Sequence, residues 1–208
     1  MTGNPGTRPA ARLPSGMARQ LSLFTAGLRP PAVTDLEGLL CGPAHLVQRA
    51  DGARLSVVVA DAWRAEALQA DLAVLDLDGG VRAGVTGEGI SVRTPFDPRL
   101  LPLVPRWTRG AHVAPPADLV LDGGRLRWWV IAAGAPDPLG WLLKLNPVEA
   151  VWSAAGSALA AAGVSGVFLG PRGEGPAYRL TGKRRLSRLR ELVGDPPASV
   201  PAEAWPSD

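Results

Sequence analysis

Cysteine is nearly absent from this sequence. Cys41 stands alone among 208 residues, so no internal disulfide framework can hold the chain together, and a single thiol agrees with a reducing, cytoplasmic setting. Histidine is almost as scarce: His45 and His112 lie far apart, which leaves no Cys/His group at zinc-ligand spacing. Long apolar runs are missing too. Stretches such as WWVIAAG fall far short of the ~20 residues that span a bilayer, and the N-terminus has no apolar signal core. These absences predict a soluble intracellular protein with no membrane partner. Lysine is the last deficit, with Lys144 and Lys183 the only two among 22 basic residues. Beside 25 Gly and 21 Pro, the arginine excess reads as the codon bias of a GC-rich genome. The formal charge of +3 permits nucleic acid as a partner without requiring it.

The chain is long enough for one large domain or two small ones, and its clearest positive feature is internal repetition. Residues 80–89 read GVRAGVTGEG and residues 166–175 read GVFLGPRGEG, with Gly-Val, Gly and Gly-Glu-Gly at identical spacing. The same offset pairs Arg93 with Arg179, Arg99 with Arg185, Leu100 with Leu186 and Leu103 with Leu189, and backward it sets LSVVV (55–59) on WLLKL (141–145). Glycine abundance alone would not keep register over that distance. Two repeats are expected, roughly 34–105 and 123–193.

Each repeat predicts the same elements. In the first, Thr34-Asp35-Leu36-Glu37 reads as a capping box and Gly42-Pro43 as the stop of a short helix. AHLVQR and RLSVVVA form a hairpin, and Asp61 caps a helix carrying Trp63, Leu68 and Leu72. VRAGVTGEGISVRT forms a second hairpin, followed by a short helix near Arg99 to Val104. In the second, Leu126, Trp129, Val130 and Ala133 mark one helix face, WLLKL is a strand, and Asn146-Pro147-Val148-Glu149 opens a helix that Gly163 closes. VSGVFLG and PAYRL make the last hairpin, and 183–193 is an amphipathic helix ended by Gly194. The predicted class is α+β, two pseudo-symmetric αββαββα units at 33–106 and 123–194, with a linker at 107–122 and disordered tails at 1–32 and 195–208. The first hairpin of the second unit is short.

That unit, present twice, resembles the LAGLIDADG homing-endonuclease fold, also found in the WhiA-type regulators of actinobacteria. LEGLLCGPA (36–44) matches the apolar-and-glycine spacing of the naming helix, and WVIAAGAP (129–136) matches it more loosely. Small residues at Gly38, Gly42, Ala132 and Ala133 suit a close helix pair between the units, although core helices in an Ala/Gly-rich protein would read alike. In the nucleases, the acids ending the two helices hold the divalent metal that supports phosphodiester attack. The matching positions here are Pro43 and Gly134, neither with a side-chain ligand. The resemblance therefore implies a non-catalytic relative with no metal and no cofactor. Asp137 reads as a turn residue between prolines. GVTGEG and GPRGEG lack the Walker lysine and lie between strands, so they read as hairpin turns.

The resemblance also implies duplex DNA as a partner, lying on the saddle of the joined sheets. Alternation along strands offers Arg54, Arg82, Arg93 and Arg179 for that face, with Arg49 and Arg172 near hairpin ends. The densest charge is TGKRRLSRLR (181–190), where Lys183, Arg184, Arg185, Arg188 and Arg190 have no acid between them. This segment reads equally as a phosphate-binding surface or as the solvated face of a C-terminal helix. Of the seven tryptophans, Trp63, Trp129, Trp141 and Trp152 fit core positions, while Trp107, Trp128 and Trp205 are candidates for exposure.

The N-terminal tail holds the most specific short pattern. Gln20-Leu21-Ser22-Leu23-Phe24 resembles, at all five positions, the linear motif by which bacterial polymerases and repair proteins bind the DNA sliding clamp. A short extended peptide needs a few large apolar anchors in a flexible setting, which the surrounding Pro, Gly and small residues supply. The competing reading is an edge strand or a segment packed on the domain. Together these features predict a monomeric, cytoplasmic, nucleoid-associated protein of replication or repair, tethered to the clamp. A WhiA-like transcription regulator is the alternative, although no helix-turn-helix pattern follows residue 194. A DNA-processing enzyme with an unrecognised site is a third.

Overall fold

The computed structural model describes residues 30–78, 82–86, 89–173 and 175–207, with the side chains of 82–86 outside the description. A 3-10 turn (Val33–Leu36) runs into helix α1 (Glu37–Cys41). The cap is Ala32, earlier than the Thr34 that the capping box predicts, and the Asp35 carboxylate accepts the Ala32 N–H at 2.9 Å. Gly42 ends α1, Pro43 cannot continue it, and strand β1 (Ala44–Arg49) begins at once. Then follow β2 (Gly52–Val59), α2 (Ala62–Val74), β3 (Arg82–Thr86), β4 (Gly89–Arg93), a 3-10 turn (Pro98–Leu100) and α3 (Leu103–Trp107). A two-stranded ribbon, β5 (Thr108–Arg109) with β6 (His112–Val113), occupies the connection. The second unit runs α4 (Gly123–Ala133), β7 (Gly134–Asp137), β8 (Gly140–Lys144), α5 (Glu149–Ala161), β9 (Val167–Leu169), β10 (Ala177–Leu180) and α6 (Lys183–Val193). The sheets have matching orders, β1-β2-β4-β3 and β7-β8-β10-β9, and every pairing is antiparallel. This is the predicted α+β arrangement of two like units.

Strand register tests the sequence offset residue by residue. Ser56 pairs with Arg93 and Leu142 with Arg179, so the central strands keep the spacing read from the sequence. The outer strands slip. Arg82 lies opposite Arg93 whereas Val167 lies opposite Arg179, and the strands are separated by a longer stretch of chain in the second unit. On the other side, Ala44 pairs with Val57 and Gly134 with Leu143. Gly134 thus takes the place of Ala44, and the counterpart of Pro43 is Ala133, one residue from the position the sequence pattern assigns.

The units meet through α1 and α4. A methyl group on Gly38 would run into the Arg125 carbonyl, and one on Gly42 would stand 3.2 Å from Trp129 and 3.3 Å from the Ala133 methyl. At Gly38 only glycine permits that approach, and at Gly42 a side chain would crowd its neighbours. Each unit also caps the other's helix. The buried Arg64 of α2 donates to the Val130, Ile131 and Gly134 carbonyls at the end of α4, at 2.7 Å for Ile131. Asn146, buried in the second unit, donates its side-chain amide to the Leu40 and Ala44 carbonyls and its backbone N–H to Cys41. Carbonyls at a helix end have no intrahelical donor, so these two side chains satisfy groups that burial would otherwise strand. Glu37, 1% exposed, joins the same seam by ion pairs to Arg106 (2.7 Å) and Arg125 (2.9 Å).

One apolar cluster runs through both units, including Leu36, Leu68, Trp107, Leu126, Trp129, Leu143 and Leu159. Trp107, Trp128 and Trp205, read from sequence as candidates for exposure, are all buried. Trp107 and Trp128 fall on helix faces turned to this core. Trp205 lies in the C-terminal segment for which composition predicts disorder. There its indole donates to the Gly194 carbonyl at 2.9 Å, its ring faces Arg127, and Arg127 also grips the Val193 and Asp195 carbonyls. One large aromatic ring outweighs the low propensity of its neighbours. Among the described residues, no helix is long and apolar enough to cross a membrane.

Candidate nucleic-acid interface

Helices cover one face of each sheet and leave the other open. On β2, Ala53, Leu55, Val57 and Val59 point inward and are buried, so Arg54, Ser56 and Val58 point outward. Direct pairing places Val47 and His45 of β1 beside Arg54 and Ser56, with Arg93 of β4 on the other flank. Arg93 is exposed and donates to the Ser91 hydroxyl at 3.0 Å. Arg82 of β3 lies opposite Arg93 in the register.

Phe96, just past β4, organises the charge of this sheet. The Arg49 guanidinium carbon lies 4.0 Å from the ring centroid and that of Arg54 lies 4.6 Å from it. Each such contact contributes about 0.5–1 kcal/mol, which offsets the repulsion of two cations held together. The Arg54 Nε, shielded here, has no hydrogen-bond partner among the described residues.

The second sheet is built differently. Leu142 and Lys144 of β8 and Arg179 of β10 face outward. Arg179 is clasped by Asp137, Nε to Oδ1 at 3.0 Å and Nη2 to Oδ2 at 3.1 Å. Asp137 does turn the chain, accepting the Leu139 N–H at 2.9 Å, and it is also the anion of this face. Lys144, Arg172, Arg179 and Asp137 share the lining of a concavity of about 300 Å³.

The structure brings Arg49, Arg54 and Arg93 together on one sheet and Lys144, Arg172 and Arg179 on the other. It does not bring Lys183, Arg184, Arg185 or Arg188 to them. Those residues are exposed on α6, which packs into the helix layer through Leu189 and Val193. Gln20, Leu21, Ser22, Leu23 and Phe24 lie outside the described residues. Sequence reasoning passed over Lys144, although the alternation of WLLKL sets it on the face of Leu142. It also passed over Phe96, which only the fold carries to Arg49 and Arg54.

Where the paired helices end, the side chains are Pro43 and Ala133, and neither carries an oxygen ligand. Among the described residues no group of three or more His, Cys, Asp or Glu side chains is placed to hold a metal ion. Cys41 is fully buried, and that burial, with the Glu37 charge beside it, pushes its thiol far above the ordinary value. It is a packed thiol and not a nucleophile.

No protein-family model matches this sequence, and a search of curated proteins returns no match. Solved structures do match. The chain is similar to the homing endonuclease I-WcaI bound to its DNA recognition sequence, with a TM-score of 0.59 and 12% identity over 86% of this chain and 89% of that one. It is also similar to the N-terminal LAGLIDADG domain of DUF199/WhiA, with a TM-score of 0.56 and 9% identity over 84% of this chain and 87% of that one. At such identities the likeness concerns architecture. Two αββαββα units joined through a glycine-lined helix pair, with both sheets open on one face, have the LAGLIDADG fold.

Proposed function

We propose that this protein is a non-catalytic DNA-associated factor of replication or repair. Its joined sheets lie on duplex DNA, and its tail peptide Gln20–Phe24 binds the bacterial sliding clamp. The observation that carries the DNA half is the placement of cations on the open sheet faces: Arg49, Arg54 and Arg93 on one, Lys144, Arg172 and Arg179 on the other. Phosphate contact needs such side chains held near one surface, and affinity then falls steeply with salt. The likeness to I-WcaI, whose structure is bound to its DNA recognition sequence, supports DNA as the partner. Pro43 and Ala133 at the helix ends favour binding over cleavage. The clamp half rests on the five-residue match, and tethering raises the local concentration of a weak DNA contact.

Two measurements test the reading. Purified protein is expected to bind a short duplex with an affinity that drops as salt rises, and Arg49→Ala with Arg54→Ala is expected to weaken it about tenfold. Clamp pulldown is expected to succeed with the full chain and to fail without residues 18–25, or with Gln20, Leu23 and Phe24 replaced by alanine. A fully folded wild type with no duplex binding at low salt sinks the DNA half, and one with no clamp binding by calorimetry sinks the tether. The regulator reading is favoured by the likeness to the WhiA domain, and it predicts strong preference for a selected duplex over random sequence. Metal-dependent cleavage of DNA would revive an enzyme.

A further inference from the structure

Charge on α6 points away from the sheets and is placed against the helix's own electrostatics. Lys183, Arg184 and Arg185 form its first turn, where the partial positive end of the peptide dipole disfavours cations, and no acid stands in that turn. These residues do form a solvated face, but the dipole favours only Arg190 in the last turn and not the three cations of the first. Nor does packing require them. Leu189 and Val193 carry the contact with the helix layer, and Lys183, Arg184, Arg185, Arg188 and Arg190 are exposed.

Local pairing leaves much of the charge available. Arg188 reaches Glu191 at 2.7 Å, an exposed pair that contributes little, and among the described residues Arg185 donates to the Thr181 carbonyl. A broad concavity of about 970 Å³ opens here, between the end of α5 at Gly163 and the start of α6, and Lys183, Arg184, Arg185 and Arg188 line it. A concave surface rich in arginine suits phosphates that arrive in series, as along one duplex strand, since guanidinium forks match phosphate oxygens.

We infer that the outer face of α6 is a second DNA-contacting surface, so that one molecule holds two duplex segments, one on the sheets and one on α6. This rests on the proposed reading of the sheet face. The two surfaces share no lining residue, and α6 lies on the helix side, packed on α4, so occupation of one leaves the other open.

The test is a bridging assay with the full chain. A biotinylated duplex on beads is saturated with protein and then offered a fluorescent second duplex at low salt. Wild type is expected to retain the second duplex. The Arg184→Glu, Arg185→Glu, Arg188→Glu variant is expected to bind the first duplex within about twofold of wild type but to lose roughly tenfold or more of the second. Its unfolding midpoint checks that these exposed changes leave the fold intact. The single change Arg184→Ala, milder for folding, is expected to lower the salt slope of second-duplex capture by about 0.9. Wild type that binds the first duplex and captures no second overturns this inference while the sheet reading stands. Failure to bind the first duplex takes both. Capture that survives the triple variant also overturns it, since bridging would then run through two protein copies, and so does loss confined to anionic vesicles or acidic peptides.

Discussion

The two units share a backbone plan yet solve the same problems with different side chains. Arg93 and Arg179 occupy equivalent outward positions, one opposite Ser56 and the other opposite Leu142. Among the described residues Arg93 meets the Ser91 hydroxyl, whereas Arg179 is clasped by Asp137. The first sheet therefore presents its charge openly and the second holds part of it in reserve. The helix ends differ likewise: α4 is capped by a guanidinium and α1 by an amide. Strand pairing gives both units the same topology, and the polar chemistry built on it differs.

Breaking the caps should show that asymmetry most strongly. Arg64→Met removes the side-chain donor of the buried Ile131 and Gly134 carbonyls at the end of α4 and is expected to lower stability by about 3–5 kcal/mol in urea unfolding, against about 2 kcal/mol for Asn146→Ala. Equal losses would mean that the two ends are equivalent. The seam offers the next test. Gly38→Ala pushes a methyl group at the Arg125 backbone, with about 3 kcal/mol expected, whereas Gly110→Ala, where that methyl group meets nothing within 4 Å, should cost at most about 1 kcal/mol through its left-handed φ of 62°.

Smaller effects sharpen the contrast between the sheets. Asp137→Asn releases Arg179 and is expected to raise duplex affinity about threefold at low salt by fluorescence anisotropy, and Arg93→Ala should weaken binding more than Arg179→Ala does. The smallest effect is a pH dependence confined to the second unit. Burial raises the Tyr178 phenol above its ordinary 10.0, and the hydroxyl donates to the Trp152 carbonyl at 2.9 Å. The folded protein thus keeps this proton longer than the unfolded chain. The stabilisation is full below the ordinary value and lost as pH rises through the folded one. Tyr178→Phe should flatten that part of the stability profile, and since Tyr178 is the only tyrosine its ionisation can be followed by ultraviolet absorbance.

Periodicity and punctuation carry local information, and the local elements were accordingly legible. Gly42-Pro43 does end α1, the hairpins form around their glycines, and 183–193 is helical as its pattern predicts. The central strands keep the repeat offset because they are buried, and a slip of one residue would turn every side chain to the wrong face. The outer strands were misjudged by one residue, since a longer connection shifts register without leaving a mark in composition. The candidate site was half legible. Alternation placed Arg54, Arg93 and Arg179 on one side of their strands, but nothing local said that Phe96 would sit between two arginines or that Asp137 would hold one.

By itself, then, the sequence determined which segments of the two units form helices and strands, in what order, and that Gly38 and Gly42 allow a close helix pair. Tertiary structure alone decided which charges share a surface. It set the arginines of α6 apart from those of the sheets, buried Trp128 and Trp205, and brought Arg64 and Asn146 to the helix ends of the opposite unit. The reason is that periodicity reports which face a residue takes on its own element, while partners in space are fixed only when elements distant in sequence pack together.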